Sequence, residues 1–329
     1  MTTIKKSIYV TIIALMLSIT MFSFAACAAS SIPKDTQFVY NPEEWEITFE
    51  DNFDSEELDR TKWRVGTMID VDNPENNGVR RAGYYVDDKE NLFIKDGFLT
   101  IRTNWQENGV YGQGWYTSWV ETSTDPNMSN MPVGEDYVGF SQKGGYFEIK
   151  CQAPPSVGIW SAFWLMPDEG VAFSNDDIQW SAKDGLEIDI MESPYLYQNK
   201  SWCTHVLHCD GYDERLKSSK SKTYKVPNMY SEMHTYALEW TETEYKFYID
   251  GYLTWQTNHE YEGKVLNISE VAEYMILSVE VGGHRDENGN MILGVDANGA
   301  KSWAGNPNDN DKSKNYDFII DYVKVMQRK

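Results

Sequence analysis

After residue 29 the chain shows little helical periodicity. Short runs rich in Val, Ile, Phe, Tyr and Thr recur instead, broken by Gly, Asn and Asp, the pattern of an all-β sandwich or barrel. "NLFIKDGFLTIRT" (91–103) predicts a hairpin turning at Asp96-Gly97, and "YKFYIDGYLTWQT" (245–257) a second turning at Asp250-Gly251. Asp-Gly suits the two-residue turn in which both central residues take positive φ. Further strands are expected over 144–153, 273–281 and 316–327, and a short helix over 265–274. Three polar stretches, 66–90, 104–140 and 282–315, read as loops or irregular hairpins. Long loops on a rigid sheet are where function usually sits. The chain has no internal repeat and no linker that would split it, so residues 30–329 are expected to form one domain.

The alternation breaks once in an informative place. In "LEIDIMES" (186–193) Ile188 and Ile190 alternate correctly with Glu187 and Asp189, but Met191 follows Ile190 directly and puts Glu192 out of phase. Strand side chains point alternately to opposite faces. One extra residue at Ile190-Met191, a β-bulge, restores the phase and returns Glu192 to the face of Glu187 and Asp189. Three acids on one face repel one another, and burial adds to the penalty. A solvated strand face would tolerate them, but the apolar interleaving and the absence of Lys or Arg from 186 to 199 weaken that reading. A cation site is a second use, since carboxylate clusters bind Ca²⁺. Glycoside hydrolysis is the sharper use: one carboxylate attacks or activates water, and another, its pKa raised by a like charge, protonates the leaving oxygen.

Composition narrows the setting. Residues 1–29 carry Lys5 and Lys6, an apolar run and then small residues, the order of a secretory signal. The run Ile8 to Phe24 approaches membrane-spanning length, yet its small-residue end favours cleavage. Phe24-Ala25-Ala26-Cys27 resembles a bacterial lipobox, which would leave Cys27 lipidated; ordinary cleavage after Ala28 or Ala29 stands beside it. Export follows either way, to the medium or the cell surface, with a lipid on Cys27 as the one expected link to a membrane. The 29 basic and 51 acidic residues give a net charge of −22, and losing the leader removes two lysines and no acids. Such a surface repels nucleic acid and anionic membranes; a neutral partner fits it best. Aromatics form 14% of the chain, with 12 Trp and 21 Tyr, enough for sugar-stacking surfaces as well as a large all-β core. Cys151, Cys203 and Cys209 remain after the leader, an odd number that excludes a full disulfide framework. In "CTHVLHC" (203–209) alternation puts Cys203, His205 and Cys209 on one face and His208 on the other, which argues against a four-ligand zinc site and for core packing or a disulfide.

"EIDIME" resembles the E-[IL]-D-x-x-E signature of glycoside hydrolase family 16 in its bulged, laminarinase-like branch. Five other stretches are similar to the family in order: "DNFDSEELDRTKW" (51–63), "GGYFEIKCQAPPSVGIWSAFWLMP" (144–167), "MHTYALEWTETEYKFYIDG" (233–251), "YMILSVEVGG" (274–283) and "DYVKVMQ" (321–327). The resemblance implies a β-jelly roll, a sandwich of two antiparallel sheets whose concave face forms an open glycan cleft. It implies Glu187 as nucleophile, Glu192 as general acid/base and Asp189 as the group that tunes the nucleophile. The mechanism would be retaining, with the two glutamate carboxyls about 5–5.5 Å apart.

The resemblance extends to substrate and ion sites. His208 matches a cleft histidine, with Val206 where the family has Thr. Trp160 and Trp164 lie in the matched tryptophan-rich turn, and Trp180 corresponds to a sugar-stacking Trp before the catalytic strand, although "WSAKDGLE" is two residues longer than the usual spacing. Trp303 is a candidate cap for the cleft. Arg80 and Arg81, in a loop that departs from the laminarinase pattern, are candidate contacts to substrate hydroxyls. Asp321 matches the aspartate of a structural Ca²⁺ found on the convex side of many members; catalysis needs no cofactor.

The reading that results is an exported, endo-acting, retaining β-glycosidase on a neutral β-1,3- or β-1,3/1,4-glucan, acting as a monomer. An endo-β-galactanase on the same scaffold is the nearest alternative. A cell-wall transglycosylase shares the chemistry but favours the unbulged branch. A non-catalytic glycan-binding protein is the alternative from a different class, and the intact Glu187, Asp189 and Glu192 count against it.

Overall fold

A computed structural model of the chain describes residues 29–67, 80–124, 133–168, 181–209, 217–261, 263–286 and 288–329. The leader up to residue 28, with Cys27, and Trp180 lie outside these residues.

The alternating segments form two large sheets packed face to face. One sheet runs, from edge to edge, through Ser30–Ser31, Lys217–Lys225, Trp202–Cys209, Glu187–Ser193, Ile159–Pro167, Glu273–Val281, Trp119–Glu121 and Arg64–Gly66. The other runs through Tyr252–Thr257, Tyr245–Ile249, His234–Trp240, Gly145–Gln152, Asn315–Arg328, Phe98–Gly109, Gly112–Thr117 and Tyr84–Tyr85. Pairing is antiparallel except where Ser30–Ser31 and Tyr84–Tyr85 join their neighbours in parallel.

Both predicted Asp-Gly hairpins form. Asp96 and Gly97 take φ of 54° and 79°, and Asp250 and Gly251 take 52° and 76°, the mirror-image turn that matches strand twist. The strands expected over 144–153, 273–281 and 316–327 appear as Gly145–Gln152, Glu273–Val281 and Asn315–Arg328. The helix expected over 265–274 does not form. Asn267 sits at φ 71°, which no helix accepts, and the segment spends its backbone groups on other partners. Leu266 N–H donates to His259 O, Leu266 O accepts from Ala182 N–H, and Ser269 N–H donates to Tyr245 Oη. The polar stretch 104–140 is also more regular than expected, since it contains Gly112–Thr117 and Trp119–Glu121.

The two faces of the first sheet have different fates. Its inward face, with Phe163, Leu165, Ile188, Leu207, Leu277 and Val279, packs against Ile101, Phe147, Ile149, Leu238, Phe247 and Val325 of the other sheet. Each such side chain contributes roughly 1.5–3 kcal/mol when fully buried. The outward face carries a second cluster of Trp119, Ala162, Trp164, Met166, Tyr274 and Ile276, flanked by Tyr84 and Trp160. Aromatic residues line this face next to the acids, which lie on the strand at its centre.

Candidate active site

The acid strand Glu187–Ser193 is entered through Gly185 at φ 110°, where a Cβ would stand 2.3 Å from Pro167 Cγ. Only glycine fits that approach. Along the strand, Glu187 pairs with His208, Ile188 with Leu207 and Asp189 with Val206, but the next pair is Glu192 with Thr204. Three steps on one strand therefore answer two on its partner. On the other side Trp164 pairs with Asp189 and Phe163 with Met191, leaving Ile190 over. This is the bulge expected from the sequence. Ile190 and Met191 are both fully buried, so the apolar demand for two consecutive core residues is what turns Glu192 outward beside Glu187 and Asp189.

A residue that sequence reasoning tested only as a metal ligand holds the bulge. His205 is buried, and its Nδ1 lies 2.6 Å from the Ile190 carbonyl oxygen. A carbonyl only accepts, so Nδ1 carries the proton and donates. Burial lowers the His205 pKa to about 4, so the ring stays neutral at ordinary pH. Cys203, His205 and Cys209 share the inward face as alternation predicted, and Cys151, Cys203 and Cys209 are free thiols.

The three acids sit in an unusual field. Asp189 and Glu192 are buried and Glu187 nearly so. Glu187 Oε2 and Asp189 Oδ2 are buried without a hydrogen-bond partner among the described residues. Burial, then the charge of Asp189, raises the Glu187 pKa well above the usual range, while the Arg81 guanidinium pulls it back. Burial and then Glu192 raise Asp189. Burial and then Glu187 raise Glu192, whose weaker help is the Trp160 indole N–H; that N–H favours the anion without completing a hydrogen bond. His208 Nε2 lies 3.4 Å from Asp189 Oδ2 and 3.9 Å from Glu187 Oε1, and burial lowers its pKa to about 4.

Ligand atoms of Glu187, Asp189 and His208 lie within 4.8 Å of one another, close enough to share a cation. A cation there would have to offset the burial and mutual repulsion that raise the pKa values of these carboxylates. Asp321 is on the other sheet, in an ion pair 2.7 Å from Lys150 Nζ. A cation beside the carboxylate is the reverse of a calcium donor set, so the residues there do not fit the structural Ca²⁺ implied by the resemblance.

Among the described residues, the predicted substrate residues fall around the acids. Trp160 and Trp164 belong to one strand, Ile159–Pro167, rather than a turn, and both face the cleft. Trp164 is buried, its Nε1–H donating to Ser278 Oγ at 3.0 Å, whereas Trp160 keeps part of its ring exposed. Trp303 stands edge-on to Trp160, ring centres 4.7 Å apart. Arg81 is drawn to the cleft by pairing of Arg80–Arg81 with Gly283–Arg285. Its guanidinium lies 5.0 Å from the Trp119 ring centre and 3.3 Å from Glu280. Glu280, a fourth carboxylate, was missed: it occurs singly in "LSVEVGG", and only cross-strand register with Trp160 places it on the cleft face.

Known proteins resemble this chain in sequence and in fold. The sequence profile of glycosyl hydrolases family 16 matches residues 103–293. A beta-glucanase of Rhodothermus marinus is 26% identical over 244 residues, covering 66% of this chain and 77% of the relative. A glucan endo-1,3-beta-glucosidase A1 of Niallia circulans is 23% identical over 258 residues, covering 73% of this chain but 34% of that protein. Among solved structures, the catalytic domain of an endo-1,3-beta-glucanase (laminarinase) from Thermotoga petrophila RKU-1 superposes with TM-score 0.61 at 22% identity, over 87% of this chain and 99% of that one. A laminarinase from Flavobacterium sp. UMI-01 gives TM-score 0.61 at 21% identity, over 86% and 100%. These structures share the jelly-roll fold. With a family match across more than half its length and an acid strand in the expected bulged form, the chain belongs to glycosyl hydrolases family 16.

Proposed function

We propose that the protein is an exported, endo-acting, retaining β-glycosidase that cuts internal bonds of a β-1,3- or β-1,3/1,4-glucan. The observation that carries this reading is the bulge, which gathers Glu187, Asp189 and Glu192 on one buried patch of an open, tryptophan-lined face. Export rests on the leader pattern of residues 1–29. The β-glucan assignment rests on the relatives, which are named for activity on such glucans.

The chemistry follows from the unequal surroundings of the two glutamates. Arg81 favours the anion of Glu187, which suits attack on the anomeric carbon. Burial and neighbouring charge keep the proton on Glu192, which suits its transfer to the leaving oxygen. Attack forms the glycosyl–Glu187 ester as the glycosidic bond breaks. Glu192, now ionised, takes a proton from water as that water releases the sugar, and both carboxyls return to their starting states. Asp189, between them and 3.4 Å from His208, tunes the charge of Glu187.

The test is reducing-end release by the mature protein from laminarin, barley β-glucan and unsulfated galactans, with Glu187→Gln as control. Oligosaccharides from a β-glucan, lost in the variant, support the reading. Release from galactans alone keeps the mechanism and moves the substrate. Silence on every glycan by a folded protein overturns it.

A further inference from the structure

Glu280 has no task in the mechanism above. It pairs across the sheet with Trp160, two positions from Ala162, which pairs with Glu192. Its Oε1 lies 3.3 Å from Arg81 Nη2, and the two side chains remain 25% and 31% exposed. Trp303, itself 40% exposed, stands beside Trp160. A stabilising role explains this poorly. A solvent-facing ion pair contributes little, while the Glu280 charge repels Glu187, Asp189 and Glu192 together. A residue that opposes the fold locally at a cleft is better explained by what it binds. Sugars need such a pairing: the apolar face of the ring lies on an aromatic surface while hydroxyls donate to an ionised oxygen.

We propose that Glu280, braced by Arg81, accepts hydroxyl hydrogen bonds from a neutral hexose unit seated on Trp160 and bounded by Trp303, in the subsite at the Glu192 end of the acid strand. The inference rests on the glycosidase reading and adds to it a specificity-determining residue. The same charge disfavours a sulfated sugar or a uronate at that unit.

The experiment titrates a β-1,3-linked glucose hexasaccharide calorimetrically into full-length Glu187→Gln protein, with and without Glu280→Ala. Loss of a charged acceptor should weaken Kd about tenfold, with the melting temperature unchanged. In the active background Glu280→Ala should raise KM by a similar factor. Glu280→Gln retains an acceptor and the shape of the side chain, so it should fall between wild type and Glu280→Ala, and it serves as the readout if the alanine variant does not fold. A Kd within twofold of the parent in a folded variant overturns the inference, as does a loss confined to kcat. No binding by the Glu187→Gln parent also overturns it. Failure of the wild type to release reducing ends from any glycan overturns the glycosidase reading instead, because the titration reads Glu280 without turnover.

Discussion

Two groups of acids on the same sheet have opposite surroundings. At one edge, Glu121 accepts from Arg64 Nε at 2.7 Å through Oε1 and from Trp119 Nε1 at 2.9 Å through Oε2. Nearby Asp168 accepts from Ser123 Oγ at 2.7 Å, from Thr124 N–H at 2.8 Å and, on its other oxygen, from the Thr124 hydroxyl. All four oxygens of that group are satisfied. At the centre, Glu187 Oε2 and Asp189 Oδ2 are buried with no hydrogen-bond partner among the described residues, and the carboxyls repel one another. Burial raises the pKa of Glu121 too, but Arg64 and Trp119 oppose the rise. These surroundings mark what each group is for. A buried carboxylate with every oxygen paired holds structure, whereas one left unpaired at an open cleft is kept for a ligand.

Breaking either group should therefore have a different signature. The largest effect is expected for Glu192→Gln, which removes the acid and should lower kcat on a glucan by about 10²–10⁴-fold. On an aryl glycoside whose leaving group needs no proton, the first step should be far less affected; an equal loss on both substrates would contradict the acid role. Next comes Arg64→Met, which strands Glu121 and should destabilise the fold by about 3–5 kcal/mol, read by denaturant unfolding. An unchanged midpoint would show that the edge group is not structural. The smallest effect concerns Glu273, on the inward face of a cleft strand. Burial pushes its pKa up to about 8 from 4.5. A raised carboxyl pKa contributes stability that is complete below the unfolded value and lost as pH rises through the folded one. The window is therefore from 4.5 to about 8. Glu273→Gln keeps the neutral form at every pH, so its melting temperature should match wild type at about pH 4.5 and exceed it increasingly as pH rises toward about 9.

Much of the fold and of the acid site is legible in the amino-acid sequence. Period-two alternation and the Asp-Gly turns locate the strands, and the single break at Ile190-Met191 locates the bulge and the three acids, because both signals are local. The expected helix over 265–274 fails because the partners of Leu266 and Ser269 come from residues distant in sequence, and helical composition is only a weak preference beside such contacts. Glu280 and the anchoring role of His205 are hidden for a related reason. Each acquires its meaning from a cross-strand neighbour, Trp160 for one and the Ile190 carbonyl for the other, and a lone Glu or His in a strand carries no mark of its partner. Asp321 is hidden in the same way: a match to a family position carries no mark of Lys150, which here pairs with it.

The unpaired acids are held against the preference of the fold for the sake of chemistry. Glu187→Gln tests this most directly if turnover and melting temperature are measured on the same preparation at neutral pH. Reducing-end release from a β-glucan should disappear while the melting temperature stays the same or rises, since one repelling charge has been removed. A variant that melts several degrees lower, or that still turns over, would contradict it.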